Sequence, residues 1–134
     1  MTHRYIGTKE ITAWEEARDQ PLTGRTDGYA VRYEDGYTSW SPKETFESAY
    51  RVCEGDSQLL NFGDALHFLK QGKKVARAGW NGKGMWLVLI RPGNAMAHGF
   101  SMQPCIGMKT ANGVMQPGWL CSQNDMLAED WGVV

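Results

Sequence analysis

The run "NFGDALHFLKQGKKVARAGWNGKGMWLVLI", residues 61–90, constrains the fold more than any other part of the chain. Phe62, Ala65, Leu66 and Leu69 recur at helical spacing, which predicts an amphipathic helix with Asn61 as its N-cap. Gly72 is placed to end it, because glycine enters the left-handed region without a Cβ penalty. "KKVARAGW" and "MWLVLI" then read as strands joined by the Asn-Gly-Lys-Gly stretch at 81–84. A single helix leading into paired strands buries its stripe against the sheet, so the class is α+β. Further on, Asn112-Gly113 signals a second hairpin, Ser122 starts a short capped turn, and a last strand runs from Trp131 to Val134. Residues 92–104, "PGNAMAHGFSMQP", lack periodicity and read as a long flexible loop.

Charge divides the chain. Residues 1–58 carry seven Lys/Arg against eleven Asp/Glu, whereas residues 59–134 carry seven against four. The change falls in "RVCEGDSQ", residues 51–58, which has no apolar periodicity. The expected organisation is a small β-hairpin-plus-helix module at 1–52, a linker at 53–59, and an antiparallel sheet packed with one N-terminal helix at 60–134. Within the module, "GYAVRYEDGYTSW" predicts a hairpin with Asp35-Gly36 in a type I′ turn. "SPKETFESAYR" predicts a helix with Ser41 as N-cap, Pro42 in first position and Glu44 completing a capping box. Phe46, Ala49 and Tyr50 would share one face of it, and a strand is expected from Tyr5 to Trp14. A half this short buries only a modest core.

Several classes are excluded. No apolar run approaches the roughly 20 residues of a membrane span, and "MTHRYIGTKEITAW" lacks the apolar centre of a signal peptide, which points to the cytosol. Cys53, Cys105 and Cys121 are odd in number with no C-x-x-C pair, and His3, His67 and His98 are scattered. No disulfide framework, metal site or cofactor is expected from them. The chain has no nucleophile elbow, no phosphate loop ending in Gly-Lys-Ser/Thr, and no H-E-x-x-H. "GWNGKG" joins strands instead of opening a helix, so the helix-dipole route to phosphate binding does not apply. Asp125, Glu129 and Asp130 read more simply as a solvated turn than as an acid/base pair.

The chain is better equipped to bind than to catalyse. Trp80, Trp86, Trp119 and Met85 offer flat or soft apolar surface, and Asn81, Ser122, Gln123 and Asn124 offer hydrogen bonds to base edges. Arg77, Lys83 and Lys109 could meet phosphates, and Asp125 could accept from ribose hydroxyls or an amine. Core packing or solvation is an equally open role for each of them taken singly.

Residues 60–134 resemble the second-described family of phage Thoeris anti-defense proteins. The resemblance is carried by "GWNGKGM", "MKTANG" and the pattern W-x-x-S-Q-x-D-M-L-A-E-D-W at 119–131. Residues 1–52 resemble a separate small phage or prophage module. The resemblance implies a non-enzymatic sponge in the host bacterial cytoplasm, which binds and holds a cyclic ADP-ribose isomer without degrading it. It also implies a homotetramer with pockets between subunits, and some members take cyclic dinucleotides at a distinct site. A hydrolase of such signals is the enzymatic alternative; neither a membrane nor a nucleic-acid polymer is expected as partner. The site residues implied by the matching motifs are Trp80, Asn81, Gly82, Lys83, Gly84, Met85, Met108, Thr110, Trp119, Ser122, Gln123 and Asp125. The 92–104 loop and the acidic first half set this chain apart from compact members. Nanomolar holding corresponds to about −12 kcal/mol. Two stacked rings at roughly 1–3 kcal/mol each fall short of it, so an enclosed site is expected.

Overall fold

The computed structural model describes Met1–Val134, which divides into two units, Met1–Arg51 and Val52–Val134. The first unit holds strands β1 (Thr12–Glu15), β2 (Arg18–Gln20), β3 (Gly24–Thr26), β4 (Gly28–Arg32) and β5 (Thr38–Pro42), then helix α1 (Lys43–Ala49). Antiparallel β1, β4 and β5 form a sheet with β4 central, while β2 and β3 pair as a separate ribbon. The register Trp14, Ala30, Trp40 places both indoles on one face. On the other face Tyr29 stacks on Phe46 at 4.1 Å, and Phe46 on Tyr50 at 5.0 Å. A Cβ on Gly28 would run into the Trp40 ring and the Ser41 carbonyl, so this approach requires glycine.

Local expectations for this unit are corrected in three places. The strand expected from Tyr5 begins only at Thr12, because its partner β4 ends at Arg32 and offers nothing further to pair with. The hairpin at Asp35-Gly36 forms, but Gly36 alone has positive φ, which excludes type I′. Tyr33 N–H donates to the Tyr37 carbonyl and Gly36 N–H to the Tyr33 carbonyl, giving a type I turn closed by a glycine bulge. Ser41 does not cap α1, because β5 runs through Pro42 and keeps Ser41 in the ladder. Pro42 stands at the N-cap with no side-chain cap bond, and the Lys43 N–H is satisfied by the Asp27 carbonyl.

The second unit comprises α2 (Phe62–Lys70), β6 (Val75–Arg77), β7 (Trp86–Ile90), β8 (Met96–Ala97), β9 (Phe100–Ser101), β10 (Cys105–Lys109), β11 (Met115–Pro117), α3 (Gln123–Leu127) and β12 (Trp131–Val133). Helix α2 begins with a full capping box: Asn61 accepts from Asp64 N–H, and Asp64 accepts from Asn61 N–H. It ends where Gly72 takes φ 85°, with Gly72 N–H on the Leu69 carbonyl and Lys73 N–H on the Phe68 carbonyl. Those two bonds make a Schellman motif. The strands form a five-stranded antiparallel sheet in the order β11-β10-β7-β6-β12. Leu60, Ala65, Phe68, Leu69, Val75, Leu87 and Trp131 make the core between α2 and one face of this sheet. The architecture is α+β throughout, as the sequence predicts.

Strand alternation sends Trp86, Val88 and Ile90 to the face away from that core, because Leu87 between them is fully buried against α2. Lys74 lies over the Trp86 ring at 4.4 Å. Strand β6 stops at Arg77, so residues 78–85 form a wide loop instead of extending the two strands. Residues 53–59, read as a linker, belong to the second unit: Cys53 packs on the core, and Gln58 lies against Gly132. Residues 92–104 are not structureless. They carry the β8–β9 ribbon, turned by His98 (φ 51°) and Gly99 (φ 83°) in a type I′ geometry. Asn112-Gly113 closes the β10–β11 hairpin with the same glycine-bulge loop as residues 33–37.

Removing the reciprocal cap should be felt by the whole second unit. Asn61→Ala is expected to lower its stability by about 1 kcal/mol. In urea this would appear as a lower midpoint at unchanged slope.

Candidate functional site

Arg77 ends β6 in register with Trp131, so its side chain lies on the core face of the sheet. Its Nε donates to Asp130 Oδ1 at 2.8 Å and its Nη1 to Asp125 Oδ1 at 2.7 Å. Asp125 belongs to α3, whereas Asp130 precedes β12. Trp80 Nε1 also donates to Asp125 Oδ1, at 3.0 Å, and the Ser122 hydroxyl donates to Oδ2 at 2.9 Å. Ser122 in turn accepts from Asp125 N–H as the N-cap of α3, as expected for a capped turn. Gly79 N–H donates to Asp130 Oδ2 at 2.8 Å. A Cβ on Gly79 would sit 2.9 Å from that same oxygen, so glycine is what lets the loop backbone reach the carboxylate.

An aromatic cluster lies beside this network. The rings of Trp80 and Trp131 are 5.4 Å apart, those of Trp80 and Trp119 6.4 Å, and Phe62 contacts both Trp119 and Trp131. Trp131 is fully buried and donates its Nε1 to the Asp125 carbonyl at 3.0 Å. The 78–85 loop is thereby held against α3 and β12, two neighbouring elements far from it in sequence, at one end of the sheet.

The electrostatics follow from the contacts. Hydrogen bonds to Asp130 and Asp125 raise the Arg77 pKa above its ordinary value. Burial alone would raise the pKa of Asp125, but the bonds from Arg77, Trp80 and Ser122 outweigh it and hold the carboxyl below the usual range. The Arg77 hydrogen bond likewise depresses Asp130, against a smaller effect of burial. Burial and the Asp125 charge push the Cys121 thiol up, which keeps it protonated at neutral pH and a poor nucleophile.

The structure brings Trp80, Trp119, Ser122 and Asp125 together, with Asn81 and Gln123 as immediate chain neighbours. Asn81, Lys83, Ser122, Gln123 and Asn124 are exposed. A second group gathers where the 82–85 segment meets the β10–β11 turn. There Gly82 passes between Met85 and Ala111, Lys109 Nζ donates to the Gly84 carbonyl at 2.9 Å, and Thr110 closes the turn. Met108 packs against the core beneath, whereas Trp86 lies on the opposite face of the sheet. Of the three cations read as phosphate ligands, Arg77 is spent on carboxylates and Lys109 on a carbonyl, which leaves Lys83 exposed on the loop. Phe62, Gly79 and Asp130 also enter the site. Gly79 and Asp130 lie within the quoted motifs, but nothing in the sequence signals that residues 79 and 130 meet.

Arg77→Met is expected to cost about 2–3 kcal/mol, because it strands two partly buried carboxylates, and urea unfolding at neutral pH measures it. Both carboxylates titrate lower folded than unfolded. Their stabilisation is therefore complete above the unfolded pKa of about 4 and is lost as pH falls through the depressed folded values. Asp130→Asn should flatten the acid limb of a stability-versus-pH curve.

Residues 60–134 match the Thoeris anti-defense 2-like domain. The chain is also 42% identical over 86 residues to "Thoeris anti-defense 2" of Bacillus phage SP01, which covers 56% of this chain and 94% of that protein. The matched region contains α2, the five-stranded sheet and every residue of the Arg77 network. The chain belongs to the Thoeris anti-defense 2-like family.

Proposed function

We propose that this chain counteracts Thoeris defense by binding a nucleotide signal, a cyclic ADP-ribose isomer, and holding it without breaking it. Family membership supports the anti-defense role. The observation that carries the binding reading is the convergence on Asp125. Trp80 of the "GWNGKG" loop and Ser122 of the "SQND" turn bond one carboxylate, so two polar segments from distant parts of the chain stand side by side. Trp119 and Trp80 supply the ring surface an adenine needs, and Asn81 and Gln123 supply partners for its edge. Lys83 and the backbone of Gly82 and Gly84 suit a pyrophosphate.

The chemistry favours holding over turnover. Asp125 and Asp130, the acidic groups nearest this surface, are ion-paired and depressed, so neither is poised as a general acid near neutral pH. Tight holding requires more contact than the exposed groups of one protomer offer. The reading therefore has copies of the chain, in a homotetramer, contributing to one enclosed pocket.

Incubation with a cyclic ADP-ribose isomer, heat denaturation and chromatography of the supernatant should return intact ligand. Linear ADP-ribose in its place would replace sequestration with hydrolysis. Lys83→Glu, at an exposed position, should weaken binding at least tenfold in calorimetry, about 1.4 kcal/mol, with the melting temperature preserved.

A further inference from the structure

The chain contains two Asn-Gly pairs, Asn81-Gly82 and Asn112-Gly113, and they stand in opposite circumstances. In such a pair the glycine backbone nitrogen can attack the asparagine carboxamide, because no side chain on the glycine hinders the approach. At Asn112 both reacting groups are held. The Thr110 hydroxyl donates to Asn112 Oδ1, and the Gly113 N–H donates to the Thr110 carbonyl at 3.0 Å. At Asn81 neither group is held. The residue is exposed, and no hydrogen bond forms at its side chain or at the Gly82 N–H. The pair lies outside every strand and helix. A Cβ on Gly82 would press on the Met85 sulfur at 2.6 Å and on Ala111 at 3.1 Å. Packing therefore also favours the glycine that makes the pair reactive.

We propose that Asn81 is a self-modification site, an asparagine that converts to aspartate or isoaspartate while its loop is uncovered. The Gly82 nitrogen gives up its proton and bonds to Asn81 Cγ, and the bond from that carbon to the side-chain nitrogen breaks. That nitrogen takes up the proton and leaves as ammonia, and a cyclic succinimide remains. Water then opens the ring at either carbonyl. Both products carry a new carboxylate, and isoaspartate also adds a methylene to the backbone. The consequence rests on the proposed nucleotide site, which includes Asn81, Gly82 and Lys83. The new charge opposes an anionic ligand and counters the exposed Lys83 ammonium. A bound ligand acts in the other direction. A phosphate accepting from the Gly82 N–H and a base edge on the Asn81 carboxamide would engage both groups, as the turn does at Asn112. The empty protein thus loses capacity with age, and the loaded protein keeps it.

Peptide mapping by mass spectrometry tests this on the full chain, aged in mildly alkaline buffer with and without a cyclic ADP-ribose isomer. In the free protein, conversion is expected about tenfold faster at Asn81 than at Asn112, where two hydrogen bonds must first be given up. The ligand is expected to slow conversion at Asn81 by about tenfold for the same reason. Calorimetry on these samples should show binding capacity falling in step with conversion, and fresh Asn81→Asp should bind about tenfold more weakly. Asn81→Gln, whose longer side chain closes the ring far more slowly, should hold its own starting capacity through ageing. Conversion at Asn81 no faster than at Asn112 would overturn the modification site. Undiminished binding by converted protein, or binding that leaves conversion unslowed, would overturn its link to the ligand. Fresh wild type that converts at Asn81 yet binds no ligand defeats sequestration and spares the modification site.

Discussion

One guanidinium organises the candidate site. Arg77 has a planar fork of donors, and two carboxylates five residues apart in sequence fill it from two sides. A lysine could not reproduce this, because a single ammonium lacks the second fixed direction. The 78–85 loop is held to the sheet end through bonds to the same two carboxylates, from Gly79 N–H and Trp80 Nε1. The exposed groups best suited to a ligand therefore sit on a scaffold whose geometry is set by a partly buried, multiply bonded ion pair. Such a pair is costly to break from one side, and this favours one arrangement over loose alternatives.

The same network limits the chemistry available. Carboxylates that accept two or three charge-assisted bonds are strong acids and weak bases, and the neighbouring thiol is pushed toward its neutral form. Polar groups that in another fold would attack a substrate are here committed to holding backbone in place. What remains at the surface, Asn81, Lys83, Gln123 and Asn124, can donate, accept and neutralise charge, the repertoire of recognition.

Turn chemistry shows how closely related signals diverge. Asp35-Gly36 and Asn112-Gly113 both mark hairpins, yet each hairpin closes through a type I turn with only the glycine left-handed. His98-Gly99, which carries no such dipeptide signature, adopts the type I′ form with both residues at positive φ. The difference lies in loop length. A five-residue closure lets the first turn residues stay right-handed, whereas a two-residue connection favours the primed turns, and here both His98 and Gly99 cross over.

Element identity in the second unit was legible because it depends on local periodicity and capping. The stripe Phe62, Ala65, Leu66, Leu69, the Asn61 cap and the Gly72 stop all describe α2 as it stands. The α+β class follows from the same pattern, since a one-sided helix needs a sheet face. The motifs at 79–85 and 119–131 also carried the family assignment, because they are contiguous in sequence. Tertiary structure alone decided which side chains in those motifs are free. Arg77 and Asp125 look like ligand groups in isolation and become scaffold only when strand pairing brings residue 77 beside 125 and 130. Trp86, open in sequence to either ring surface or core, ends on the sheet face away from the core, because burial of Leu87 fixes the strand's parity. Capping and periodicity are short-range and are written in neighbouring residues, whereas the partner of a charge or an indole is set by which strands pair.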